Sequence, residues 1–348
     1  MKSKLLFLVT ILVLFGLNFF KDSMDAYYYQ ILIFIGINII LATSLNLING
    51  FTGQFSLGHA GFMAIGAYVS AAIGAYFGPF FMNTFGTSFP GNAIAFLILL
   101  IIGGISAAIV GLIVGVPSLR LKGDYLALVT LGFGEIIRVI IQGMDVVGAS
   151  QGFRGVYIYS NGVKSLEMLP DEPGVTFTFY GLEKYTDFFW VFGIAALTIY
   201  VIYNLINSTY GRGFIAVKDD EIAAEAMGIN TTKYKVVAFV TGAFFAGLAG
   251  VLYAHYAQYI NPEDFNFIRS IEIVVMVILG GMGSIFGVIL AAIILTILPE
   301  LLRGVSEYRM VIYSLLLIIM MLTRPQGLFG MKIPKFSFKK KEKVDVNG

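Results

Sequence analysis

Ile271–Leu298 reads IEIVVMVILGGMGSIFGVILAAIILTIL, and the number of times it crosses a bilayer decides the architecture of the chain. A helix needs about 20 apolar residues to span the hydrocarbon. At 28 residues this run is long for one helix and short for two, and Gly280, Gly281, Met282, Gly283 and Ser284 interrupt it. Charge decides between the readings. If the run is a single span, the basic stretch Lys332–Lys343 lies on the opposite face from Lys2 and Lys4; if it breaks at the glycines, both ends share one face.

The rest of the chain is of the same kind. Of its 348 residues 58% are hydrophobic and only 13% are charged, where a soluble domain carries about 25% charge. Further apolar runs are Leu5–Phe20, Tyr27–Leu47, Phe55–Tyr76, Ala93–Val116, Tyr125–Gln142, Phe188–Leu205, Val236–Tyr256 and Met310–Leu322. Backbone groups in lipid must be satisfied within each segment, which makes these runs helices. No alternation at period two suggests a barrel. The first run imitates a signal peptide, but Lys21-Asp22-Ser23 follows instead of a small-residue cleavage site. It reads as an uncleaved span rather than a removed signal. With the glycine break, fifteen of the 23 Lys and Arg fall on the terminal face and seven on the other, with Arg138 inside a span. The richer face is then cytoplasmic. The expectation is an all-α integral membrane protein, a polytopic bundle of about ten helices (roughly eight to ten) with both termini cytoplasmic. One transmembrane domain covers 1–330, and 331–348 is a basic cytoplasmic tail.

Two connections stand out. The first, 143–187, is extracytoplasmic and largely acidic, a plain surface loop or a docking surface. The second, 207–235, is cytoplasmic and contains the charged island Gly211–Lys235, GRGFIAVKDDEIAAEAMGINTTKYK. Asp219 and Asp220 suit the first turn of a helix. Strong helix formers from Glu221 to Met227 continue it, and Gly228 stops it. Ile222, Ala226 and Ile229 share one small apolar face, while Glu221 and Glu225 share another. Two turns are marginal in water, so this helix persists only against a partner surface.

Asn46–Tyr68 is glycine-rich and uncharged, yet lies between spans, which marks it as irregular backbone buried among helices or lining a cavity. Gly53, Gln54, Ser56, His59 and Gly61 are its candidate path residues, with His59 equally readable as a structural residue. Gly66, Ser70 and Gly74 form a small-xxx-small packing face. Gly280, Gly281, Gly283 and Ser284 form a second interruption, and paired interruptions point to a transport pathway. Glu135 and Arg138, at i and i+3 within one run, form either a structural pair or part of the path lining; Glu135 reads as the one acid well inside a span. The chain has no Gly-Lys dipeptide and so no P-loop. Without cysteine and with two histidines it shows no metal-site spacing, nor any hydrolase elbow. The chain is not expected to be an enzyme or to hold a cofactor. Any energy source is another chain or an ion gradient, and the latter would make this an ion-coupled secondary transporter.

Four segments resemble one family in order: NLINGFTGQFSLGHAGFMAIGAY at Asn46–Tyr68, LRLKGDYLALVTLGFGEIIR at Leu119–Arg138, the island with FVTGAFFAGLAGVLYA at Phe239–Ala254, and VMVILGGMGSIFGVILAA at Val275–Ala292. They are similar to LivM-type permeases of bacterial branched-chain amino-acid ABC importers. The resemblance implies a permease of the bacterial cytoplasmic membrane that pairs with a second, homologous permease. It also implies two cytoplasmic ATP-binding subunits, an external solute-binding protein, and no nucleic-acid partner. Asp219–Gly228 would be the helix that couples to the ATPases, with Asp219, Asp220, Glu221, Glu225, Ala226 and Gly228 as its contact residues. Related permeases that carry urea or short amides are the alternative. The chain has Arg154 where the family has an asparagine after the Glu–Arg span.

Overall fold

The computed structural model describes residues 25–302 except 87, 88, 120, 122, 161 and 168–175, together with 314, 315 and 318. The expected first span Leu5–Phe20 and the basic tail lie outside the described residues, as does most of Met310–Leu322.

Helix α1 (Ala26–Asn46) starts at Asp25, whose carboxylate accepts from the Tyr27 amide at 2.8 Å, as an N-cap does. It is buried on all sides from Ile35 to Asn46, so it is a central helix. A π-turn, Leu47–Phe51, and an extended stretch then lead to α2 (His59–Tyr76). Short α3 (Gly78–Phe85) bends away from α2 by 68°. Long α4 (Phe89–Ser118) and α5 (Asp124–Gln142) follow. Ile94, Leu97, Ile101, Ile105, Ile109 and Leu112 of α4 recur at three- and four-residue spacing and are all exposed, the stripe that a helix turns toward hydrocarbon. Helix α6 is Phe188–Ile206, α7 Thr209–Asp219, α8 Glu221–Ala226 and α9 Thr231–Ala257. The run that opens the sequence reading is broken: α10 (Phe267–Gly280) and α11 (Ile285–Leu301) are separate helices. Among the described residues four helices are long and apolar enough to cross a membrane, or up to six if each bent pair is one span.

Two groups of helices meet. In one, α9 packs along α2 and α4; in the other, α1 packs against α6, α10 and α11, and α1 touches α9 where the groups join. The first group is held by glycine. A Cβ on Gly66 would stand 2.2 Å from the Gly247 carbonyl oxygen, and one on Gly247 would stand 2.8 Å from that of Gly103. Backbones can approach this closely only where no side chain intervenes. Phe62 and Phe239 meet edge to face at 5.4 Å within the same seam.

The connection 143–187 departs from the all-helical expectation. Two 3-10 turns lead into β1 (Gly155–Tyr159), which pairs antiparallel with β2 (Lys164–Ser165) on one side and β3 (Phe177–Gly181) on the other. Strands of two to five residues are too short to show alternation in the sequence. Phe153 and Ile260 exchange backbone hydrogen bonds at 2.8 and 3.1 Å, tying the sheet to the chain beyond α9. Arg154 lies over the ring of Tyr259, 5.0 Å from its centroid.

Candidate functional site

Both sequence interruptions are real breaks, and they touch. At the first, Asn49 holds the chain against itself: its Oδ1 accepts from the Ser56 amide at 3.2 Å. The Leu57 amide donates to Thr130 Oγ1 of α5 at 3.0 Å, and the Ala60 amide to Ser270 Oγ of α10 at 3.2 Å. These side chains supply partners that the interrupted helix cannot. At the second break, Gly281 and Gly283 adopt φ of 94° and 88°, a region glycine enters freely. Ser284 Oγ then caps α11 by accepting from the Gly287 amide at 3.1 Å. The junction is direct. Asn46 Oδ1 accepts from the Gly283 amide at 2.9 Å, and a Cβ on Gly50 would lie 2.4 Å from that same nitrogen.

The charged island reaches this junction. Lys218 Nζ, near the end of α7, donates to the Gly50 carbonyl at 2.7 Å, and its stem lies against Gly53. Helix α7 is itself set on α9: Phe214 is fully buried and meets Tyr234 edge to face at 5.9 Å. One node therefore joins the island to both breaks.

The expected coupling helix divides. Asp219 ends α7, and Asp220 caps α8, its Oδ1 accepting from the Ile222 and Ala223 amides at 2.9 and 3.0 Å. Gly228, at φ 82°, closes α8 as expected of a C-terminal glycine. The two faces are used the opposite way from a simple amphipathic helix. Glu221 pairs with buried Lys235 at 2.6 Å, and Glu225 Oε1 accepts from Thr231 Oγ1 at 2.6 Å, so both glutamates turn back onto α9. Ile222 is 73% exposed and Met227 82% exposed, and Ala226 is exposed beside them.

The remaining candidates separate into two places. Gln54, Ser56 and His59 are buried at the first break, and His59 Nε2 lies 2.8 Å from Ser44 Oγ. Gln54 Oε1, Ser56 Oγ and His59 Nδ1 have no hydrogen-bond partner among the described residues, nor do Thr43 Oγ1 and Asn46 Nδ2. Gly61 lies against Gly134 of α5, and Gly280 against the backbone of α11 at Val288. Glu135 and Arg138 are elsewhere. Arg138 binds Glu135 at 2.8 Å and Glu263 of the turn after α9 at 2.7 Å; Gln142 donates to the same Glu263 oxygen. This four-residue clamp pins α5 to that turn. The sequence reading missed Asn46, Asn49 and Lys218. Asn46 and Asn49 were visible as polar residues in an apolar run, whereas Lys218 carried no signal beyond its place in the island.

A lysine from a largely exposed helical insert thus grips a buried polar junction. A family profile described as the permease component of branched-chain amino acid transport systems matches residues 27–322. The chain belongs to that family. It is 37% identical to the high-affinity branched-chain amino acid transport system permease protein LivM of Escherichia coli K12 over 313 residues, 87% of this chain and 70% of the relative. A probable LivM of Methanocaldococcus jannaschii is 25% identical over 92% of this chain and 98% of its own length. Escherichia coli LivH is 36% identical over 137 residues, 39% of this chain and 43% of LivH. No solved structure matches. This permease is thus a polytopic membrane protein of an ABC importer family, related to both LivM and LivH.

Proposed function

We infer that this permease carries branched-chain amino acids inward across a bacterial cytoplasmic membrane, paired with a second, homologous permease. ATP is hydrolysed on two separate cytoplasmic subunits, and an external binding protein delivers the cargo. The chain makes and breaks no covalent bond. The permeases it resembles support the cargo class, and the missing P-loop motif supports a separate motor. The excess of Lys and Arg on the island's side supports a cytoplasmic island.

The observation that carries the mechanism is the Lys218 node. The exposed apolar face of α8 suits burial against an ATPase, and a single residue, Asp220, joins α7 to α8. Movement of that pair pulls Lys218 against the Gly50 carbonyl and hence against Asn46 and Gly283. A hydrogen bond from a charged donor contributes about 1.5–3 kcal/mol, enough to shift an equilibrium between two arrangements by about ten- to a hundred-fold. Gln54, Ser56 and His59 are buried polar groups beside the junction that would face a path opened there.

Proteoliposomes containing the permease, its partner permease, the ATPases and loaded binding protein test the reading. Leucine should accumulate only with internal ATP accessible to the ATPases. Accumulation without ATP that collapses with the proton gradient overturns it in favour of a secondary transporter.

A further inference from the structure

Away from the node, at the ends of α10 and α11 remote from their break, α1, α9, α10 and α11, with Met63 of α2, line a half-open cavity of about 370 Å³. Ligand sites of this kind begin near 300 Å³, so the space suits a small molecule. Its walls differ. One is apolar, built from Phe34 of α1, Met276 of α10 and Leu295 of α11, the last two buried. The other is charged and holds Arg269 with three carboxylates, Glu272, Asp264 and Glu300, of which Asp264 accepts from the Tyr253 hydroxyl and Glu300 from the Tyr27 hydroxyl. Arg269 and Glu272, on the first turns of α10, pair at 2.8 Å, and Arg269 Nη2 donates to Asn38 Oδ1 at 2.7 Å. Asn38 in turn donates to Thr296 Oγ1 at 2.8 Å, so α1 and α11 together orient the guanidinium.

A guanidinium has five N–H donors in a planar fork matched to carboxylates. Asn38 and Glu272 each take one of them. Glu272 Oε2 is the oxygen that pairs with Arg269, which leaves its Oε1 to accept from a ligand, and its side chain is 41% exposed. A fixed cation donor, an anionic acceptor beside it and a facing apolar wall are three features of one ligand class: an α-amino acid with an apolar side chain. Urea has neither charge, and a fatty acid lacks the ammonium.

We propose that this cavity holds the amino acid in transit, Arg269 binding its carboxylate, Glu272 its ammonium, and Phe34, Met276 and Leu295 its side chain. This rests on the reading of the chain as an amino-acid permease. It adds where the cargo sits and that the permease itself, not only the binding protein, reads the zwitterion. The site lies at the far end of α10 from Gly283, so α10 spans the distance between cargo and the Lys218 node.

Saturation-transfer NMR on the full-length permease in detergent, without binding protein, tests the site. Leucine should receive saturation, while leucinamide, which lacks the carboxylate, and 4-methylpentanoate, which lacks the ammonium, should receive at least tenfold less. Arg269→Gln and Glu272→Gln should each weaken the leucine signal at least tenfold. In Glu272→Gln the amide oxygen still accepts from Arg269, so the fold is kept. Leu295→Ala, remote from the charges, should shift preference from valine toward phenylalanine. Equal signals from leucine and leucinamide, unchanged leucine binding in both charge variants, or no leucine signal at all would overturn the site. Leucine uptake by the complete assembly is measured separately. Its loss in the wild type refutes the amino-acid reading itself, whereas normal uptake with an unresponsive cavity refutes only this assignment.

Discussion

Lys218 does at the scale of one residue what no neighbouring side chain does: it connects an exposed helix to a backbone carbonyl inside a break. Its replacement by methionine keeps the stem against Gly53 and removes only the charged donor. Lys218→Met should therefore lower leucine uptake at least tenfold in proteoliposomes, with ATP hydrolysis within about twofold of wild type, because the loss of about 1.5–3 kcal/mol falls on the linkage alone. Equal loss of both activities would mean that the lysine serves assembly instead. At this scale the sequence was only partly legible. Glu135 and Arg138 announced their pairing by spacing, and the structure adds Glu263 as a third member from across the fold. Arg269 and Glu272 have the same i, i+3 spacing and were passed over, because they stand at the edge of an apolar run and not in its middle. The target of Lys218 is a carbonyl, which every residue has, so no sequence pattern could reveal it.

Among the elements, α8 shows how a helix can be legible while the use of its faces is not. Its start at Asp220 and its stop at Gly228 follow from capping chemistry. The orientation depends on Lys235 and Thr231, which belong to the next helix and draw both glutamates inward. What remains outside is Ile222 and Met227. Burial of a large apolar side chain contributes about 1.5–3 kcal/mol, so Ile222→Asp with Met227→Asp should weaken association with the ATPases at least a hundredfold. Co-purification and stimulated ATP hydrolysis would register the loss, while the variant permease should insert and remain monodisperse. Retention of both ATPases at wild-type levels would move the docking surface elsewhere. The two breaks were legible because glycine clusters interrupt apolar runs. The small sheet was not, since its strands are short and β1 pairs with β3 about twenty residues on.

At the scale of the whole molecule, apolar runs and glycine content were enough to specify a helical membrane bundle, whereas the grouping of its helices was not visible. Gly66 was read as part of a packing face, and the structure supplies its counterparts, Gly247 and Gly103, from two distant helices. Substitution there meets backbone and, at Gly247, also the Ala107 Cβ, with no flexible side chain to give way. Gly247→Ala should destabilise the permease by about 1–3 kcal/mol, the usual range for overpacking. A lowered midpoint of thermal unfolding in detergent, with a similar drop for Gly66→Ala, would register it. An unchanged midpoint would show that α2, α4 and α9 separate more readily than their contacts imply.

That seam has a mechanical consequence. Three helices whose backbones touch cannot slide past one another without collision, so α2, α4 and α9 are held together as one unit. The irregular backbone of the Gly50–Gly283 junction lies outside that seam, beside α1, α10 and α11, and Lys218 meets it there.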